Sequence, residues 1–138
     1  GLTRFQPVFV GDVAAAIADA VDGKTRPGTI YELGGPDVRT FKELMQFVLT
    51  TIERKRLLVS LPFFVARMQA MFLQYLPKPL LTPDQVELLR SDNLVSEAAK
   101  SEARTLQGLG IEPEPMEAIV PSYLWRFRKT GQFRKRLA

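Results

Sequence analysis

The stretch "TRFQPVFVGDVAAAIADAV", Thr3 to Val21, carries a change of hydrophobic period that decides how the chain is read. Residues Phe5 to Val10 are rich in Val and Phe and alternate poorly, as a strand buried on both faces should. Asp12 follows in a position suited to an N-cap, where its carboxylate would accept a backbone N–H of the first turn; contact with a ligand is the alternative. After it, "VAAAIADAVDG" holds five alanines, with Val13, Ile17 and Val21 repeating every four residues. A helix with so many small side chains can lie close against a sheet or a second helix. The unit is a strand running into a helix.

Downstream, the polar "GKTRPG" turn leads to "TIYELGG" (Thr29 to Gly35), read as a second strand closed by Gly-Gly-Pro. "TFKELMQFVLTTIERK" reads as a helix: Thr40 and Glu43 form a capping box, and Phe41, Leu44, Met45, Val48 and Ile52 trace one face. "RLLVSL" reads as a third short strand, although an extended linker would carry the same residues. Phe63 to Tyr75 reads as a helix with Phe64, Met68, Met71, Phe72 and Tyr75 on one stripe. Such a stripe is ordinarily core, and the alternative is a pocket wall for an isoprenoid or acyl chain. "LTPDQVELLRSDN" has Thr82 as N-cap, Pro83 at the first helical position and Gln85 at the third. A further helix is expected over Ser96 to Gln107, ended by Gly108 and Gly110. The last segment is expected to enter a basic C-terminal helix through a series of prolines.

Strand–helix–strand–helix followed by helices argues for an α/β fold with a helical cap. The boundaries expected are 1–58 for the back end of the sheet region, 59–124 for a helical substrate-side cap and 125–138 for a basic tail. Two parallel strands and a crossover helix make a poor sheet by themselves. Partner strands are therefore expected elsewhere, in an upstream half or a second copy; a small self-contained α+β domain is the competing reading.

The chain has 138 residues, 46% apolar and 25% charged, within the range of a globular domain. It contains neither Cys nor His, which removes disulfides, thiolate metal sites, cysteine nucleophiles and the commonest general base. No metal site is expected. No window reaches the roughly 18 to 20 uninterrupted apolar residues of a membrane-spanning helix. The net charge of +4 is concentrated at one end: after Glu117 come Arg126, Arg128, Lys129, Arg134, Lys135 and Arg136, with no acid. Trp125 and Phe127 interleave with these cations. Aromatic rings beside cations suit an anionic membrane surface or an acidic partner. Single-stranded nucleic acid is a weaker match, because there is no sheet platform. The "ERKR" cluster, Glu53 to Arg56, sits where cations favour a helix C-terminus and calls for no ligand.

The motifs "PVFVGDVAAAI", "YELGGPDVRTFKEL" and "LTPDQVELLRSDNLVS", with "LGIEP" and "PSYLWRFRK", resemble the C-terminal half of extended and atypical short-chain dehydrogenase/reductases. Within that family they are similar to the branch containing the NAD(P)-binding accessory subunit of respiratory complex I and its bacterial relatives. The resemblance implies a Rossmann-type parent binding NAD or NADP through a glycine-rich turn. That turn has no counterpart here, so no cofactor is expected on this chain alone. The family's Tyr-x-x-x-Lys pair is also missing: Tyr31, Tyr75 and Tyr123 are followed four residues later by Gly35, Pro79 and Phe127. No catalytic residue is expected in this chain.

By resemblance, the chain corresponds to the substrate-facing part, with Arg4, Gln6 and Phe9 as substrate-contact candidates. Phe9 stands where many nucleotide-sugar epimerases carry a His, which weighs against a nucleotide-sugar epimerase or dehydratase. Trp125, Arg126, Phe127, Arg128, Lys129, Arg134, Lys135 and Arg136 are the membrane- or partner-docking candidates. The functions expected are a substrate-side module of an NADH:quinone oxidoreductase-like or quinone-metabolising protein, or a non-catalytic module docked on a respiratory membrane complex, with the substrate domain of a nucleotide-sugar epimerase or dehydratase as the second alternative. A cytoplasmic protein, peripheral on the inner face of the membrane, follows from either of the first two.

Overall fold

The computed structural model describes residues 1–75 and 82–128. Its elements are β1 (Arg4–Phe5), α1 (Val10–Val21), β2 (Arg39–Thr40), α2 (Phe41–Thr51), α3 (Phe63–Leu73), α4 (Pro83–Leu88), α5 (Glu97–Ser101) and α6 (Met116–Leu124). Short 3-10 turns cover Gln107–Leu109 and Trp125–Phe127. The fold is mixed α and β, with six α-helices and one two-stranded sheet among the described residues.

The sheet differs from the expected parallel pair. β1 is two residues long and runs antiparallel to β2, with Arg4 opposite Thr40 and Phe5 opposite Arg39. The strand expected over Phe5 to Val10 stops after its first residue, because Pro7 has no N–H to give a ladder and α1 already begins at Val10. Thr29 to Gly35 forms no strand. Its backbone is held instead by the chain after α5: Glu32 N–H donates to the Arg104 carbonyl at 2.9 Å. "RLLVSL" forms no strand either.

The first strand finds neighbours within this chain, where the sequence pattern places them elsewhere. On one side lies β2; on the other, Asn93 N–H donates to the Arg4 carbonyl at 2.9 Å and Gln6 N–H to the Asn93 carbonyl at 3.1 Å. The segment is thus held between two parts of its own chain. Gly35 packs so close to it that a Cβ would run into the Pro7 carbonyl oxygen.

Asp12 does not cap the first helix. α1 starts two residues earlier, with Phe9 as N-cap and no side-chain bond there. The Asp12 carboxylate is buried inside the first turn and accepts the Glu114 N–H at 2.9 Å, tying α1 to the approach to α6. A carboxylate in the first turn also favours the positive end of the helix dipole.

Both capping boxes form as read. Glu43 N–H donates to Thr40 Oγ1 while the Glu43 carboxylate accepts Thr40 N–H, and Thr82 with Gln85 does the same. The expected Ser96 to Gln107 helix is only α5, because Ala103 turns the chain at φ +55°. The Ala103 carbonyl then sits where a Cβ on Gly108 would be.

α2 packs on α6, and α3 on α4. Among the described residues the buried apolar side chains are Ala16, Ala70, Val86, Val95, Ala99 and Leu106, of which only Leu106 is large and fully enclosed. α1 buries Asp12 and Ala16 and turns Val10, Ile17 and Val21 outward; Val21 is 82% exposed. No helix of the described residues is long and apolar enough to cross a membrane.

Candidate functional site

Arg4, at the start of β1, is committed to Asp92. Its Nε donates to Asp92 Oδ2 at 2.8 Å, its Nη2 lies 2.7 Å from the same oxygen, and its backbone N–H donates to Oδ1 at 2.8 Å. The backbone bond, ahead of the guanidinium, holds the Asp92 carboxyl below its usual range. The pair is solvated and contributes order more than energy.

Gln6 is likewise occupied at both ends. Its Nε2 donates to the Gly35 carbonyl at 2.8 Å, and its Oε1 accepts the Val95 N–H at 3.0 Å. An amide side chain here does what a strand backbone would have done, bridging the Gly-Gly turn to residues 93–95.

Phe9 is placed differently. It lines a cavity of about 730 Å³ between the start of α1, α2 and α6, together with Leu44, Phe47, Met116, Val120 and Tyr123. Among the described residues the one charged member of the lining is Glu114, whose backbone N–H is fixed by Asp12. Neither Arg4 nor Gln6 lines this cavity. The three sequence candidates therefore do not converge: two clamp residues 92–95 and the third walls an apolar space.

Phe47, Met116 and Tyr123 line the cavity without a sequence signal to mark them. Phe47 lies at the margin of the α2 face, and the prolines at 113, 115 and 121 obscure the period of α6. Beside its apolar residues the lining includes Glu114, Ser122 and Tyr123, and the Ser122 hydroxyl already donates to the Ile119 carbonyl at 2.7 Å. Such a set holds an apolar body and supplies few polar anchors.

Gly35 and Gly108 do not fit a pyrophosphate cradle. Gly35 faces the Pro7 carbonyl and Gly108 the Ala103 carbonyl, so the space beside each is filled by backbone oxygen, which repels phosphate.

Of the docking candidates, Trp125, Arg126, Phe127 and Arg128 are described; Lys129, Arg134, Lys135 and Arg136 lie outside the described residues. The Trp125–Phe127 turn closes over the end of α2. Arg54 Nε donates to the Phe127 carbonyl at 3.2 Å, Arg128 Nε to the Thr51 carbonyl at 3.1 Å, and Arg128 pairs with Glu53 at 3.3 Å. Arg126 stacks over the Phe127 ring at 5.1 Å. The "ERKR" and "WRFR" clusters, separate in sequence, thus form one basic–aromatic face, with Trp125 and Phe127 about half exposed.

Compared with known proteins, the chain matches no protein-family model. It is 38% identical, over 95% of its length, to "NADH dehydrogenase (ubiquinone) 1 alpha subcomplex subunit 9, mitochondrial" of Arabidopsis thaliana, covering 34% of that protein. It is 27% identical over 94% of its length to "NADH-ubiquinone oxidoreductase 40 kDa subunit, mitochondrial" of Neurospora crassa, covering 34% of it. A Rattus norvegicus alpha subcomplex subunit 9 is 27% identical over 89% of the chain, which covers 32% of it. The chain spans about a third of the length of these curated relatives.

Proposed function

Because this chain is homologous to part of the alpha subcomplex subunit 9 and 40 kDa proteins of mitochondrial NADH dehydrogenase, we propose that it is the substrate-side, non-catalytic portion of an NAD(P)-binding accessory protein of a respiratory NADH:quinone oxidoreductase. In this reading the parent has the Rossmann-type short-chain dehydrogenase/reductase fold, and NAD or NADP is held by polypeptide outside these 138 residues. Residues 1–58 adjoin that nucleotide-binding part, 59–124 form the cap and 125–138 a docking tail.

The observation that carries the proposal is the orientation of α1. Its buried side is Asp12 and Ala16, while Val10, Ile17 and Val21 form an exposed apolar row. A row of that kind is a packing surface awaiting a neighbour. The upstream half of the parent is our first choice of neighbour, and a second copy the other. The basic–aromatic face at the end of α2 serves as a second contact, toward complex subunits or an anionic membrane on which the protein sits peripherally.

The substrate-contact roles of Arg4 and Gln6 are weakened by their commitments to Asp92, Gly35 and Val95. Phe9 stays in the proposal as a wall of the apolar cavity, a setting that favours quinone-like bodies over sugar nucleotides. The test is native electrophoresis of gently solubilised respiratory membranes carrying the tagged full-length protein. Co-migration with NADH:quinone oxidoreductase activity is expected. Migration apart from the complex under conditions that keep the complex intact would overturn the accessory role.

A further inference from the structure

The thirty residues from Arg54 to Pro83 contain five basic residues, Arg54, Lys55, Arg56, Arg67 and Lys78, and no acidic one. Over residues 54–75 most of the large apolar side chains face out. Leu57, Val59 and Leu61 are exposed in the segment that follows the cations, and α3 turns Phe64, Met68, Met71 and Phe72 to solvent, with Tyr75 just beyond its end. Phe72 is 71% exposed, whereas Ala70, on the opposite side of the helix, is fully enclosed. Positions 64, 68, 71, 72 and 75 share one helical face. At 1.5 Å per residue the row is roughly 16 Å long. Lys55, Arg56 and Arg67 are exposed, and none of them, nor Arg54, forms an ion pair among the described residues.

We infer that α3 and the preceding segment 57–61 are a bilayer-docking face, lying in the headgroup–acyl boundary of an anionic membrane. The occupant follows from the charge pattern. Anionic lipid supplies both halves of the match: acyl chains for the Phe/Met row, and phosphates and carboxylates for the cations of 54–56 and 67. A second copy docking through the same patch would set cations against cations. Of the side chains it places on the membrane only Arg54, bonded to the Phe127 carbonyl, is shared with the basic–aromatic face of the proposed function; α3 and residues 57–61 are independent of that face and of residues 129–138.

The absence of cysteine allows the face to be mapped by single labels in the full chain. Phe64→Cys and Phe72→Cys, each carrying an environment-sensitive fluorophore, are compared with Ala98→Cys on α5. On adding vesicles of phosphatidylcholine and phosphatidylserine, emission at 64 and 72 shifts to the blue and is quenched by a lipid-borne nitroxide, while emission at 98 is unmoved. Pure phosphatidylcholine vesicles give a much weaker response. The double variant Phe64→Ser/Phe72→Ser lowers vesicle partitioning by about tenfold or more, and removal of residues 129–138 leaves the labels responding. Circular dichroism of the variants, all at exposed positions, matches that of the starting chain.

Three results would each overturn the inference. One is absence of vesicle binding; another is binding without a response at 64 and 72. The third is a double variant that partitions like the starting chain, or that only converts a dimer to a monomer in sedimentation.

Discussion

Around Gln6 this chain encloses polar groups, and along α3 it displays apolar ones. Gln6 has both ends of its amide bonded to other parts of the backbone, and Asp12 is buried against the Glu114 N–H. Leu106 is fully enclosed, beside a buried Thr105 whose hydroxyl accepts the Gly108 N–H. On α3 the single enclosed side chain is Ala70, and the large residues look outward. The first region uses its contacts to hold separate chain segments together. The second keeps its apolar area for something outside the chain. Stability and docking are thereby assigned to different residues, and substitutions should separate them.

The largest expected effect is at the enclosed leucine. Leu106→Ala should cost about 3 kcal/mol of unfolding free energy, the lost burial plus the cavity left behind, read from the urea midpoint. A change under about 1 kcal/mol would mean that Leu106 does not sit in a stably packed interior. Next comes Asp12→Ala, which leaves the Glu114 N–H without its acceptor and should cost about 1–3 kcal/mol. Asp12→Asn keeps an accepting oxygen and should cost less. If the two variants were equal, the bond across 102 residues would carry no weight.

Acid should act on the same region. Backbone N–H groups hold three carboxyls below their ordinary values: Ser96 on Glu32, Thr40 on Glu43 and Arg4 on Asp92. A lowered folded value means the charged form is favoured by folding. Its contribution is complete above the ordinary values, 4.5 for Glu and 3.8 for Asp, and is lost as pH falls through the lower folded values. The urea midpoint should hold steady from neutral pH to about 5 and then decline. Glu32→Gln should flatten part of that decline, and an unchanged slope would remove Glu32 from the account.

What could be read from sequence was local. The Thr40–Glu43 and Thr82–Gln85 boxes each close within three residues, so residue type and spacing suffice to find them. The α2 face from Phe41 to Ile52 was legible for the same reason. Long-range bonds were not. Asp12 looks like a cap because it stands at the head of an alanine-rich run, yet its partner is Glu114. The strand at Phe5 to Val10 shrank because Pro7 cannot donate and Gln6 bridges with its side chain instead. Likewise Arg54 and Phe127 meet only in the folded chain, which joins two basic clusters that lie far apart in sequence.

The α3 row shows the same limit from the other direction. Periodicity identifies Phe64, Met68, Met71, Phe72 and Tyr75 as one face, and the ordinary assignment of such a face is core. Orientation is a tertiary property: α3 packs on α4 and encloses only Ala70, while Phe64, Met68, Met71 and Phe72 are left out. The smallest expected effect follows from that choice. Phe72→Ser should change unfolding free energy by no more than about 0.5 kcal/mol, although a core Phe would lose several. The aromatic ring gives up little because water already surrounds most of it at 71% exposure. A loss above about 2 kcal/mol would place Phe72 in a packed interior. It would also erase the contrast with Leu106, because both residues would then serve stability alone.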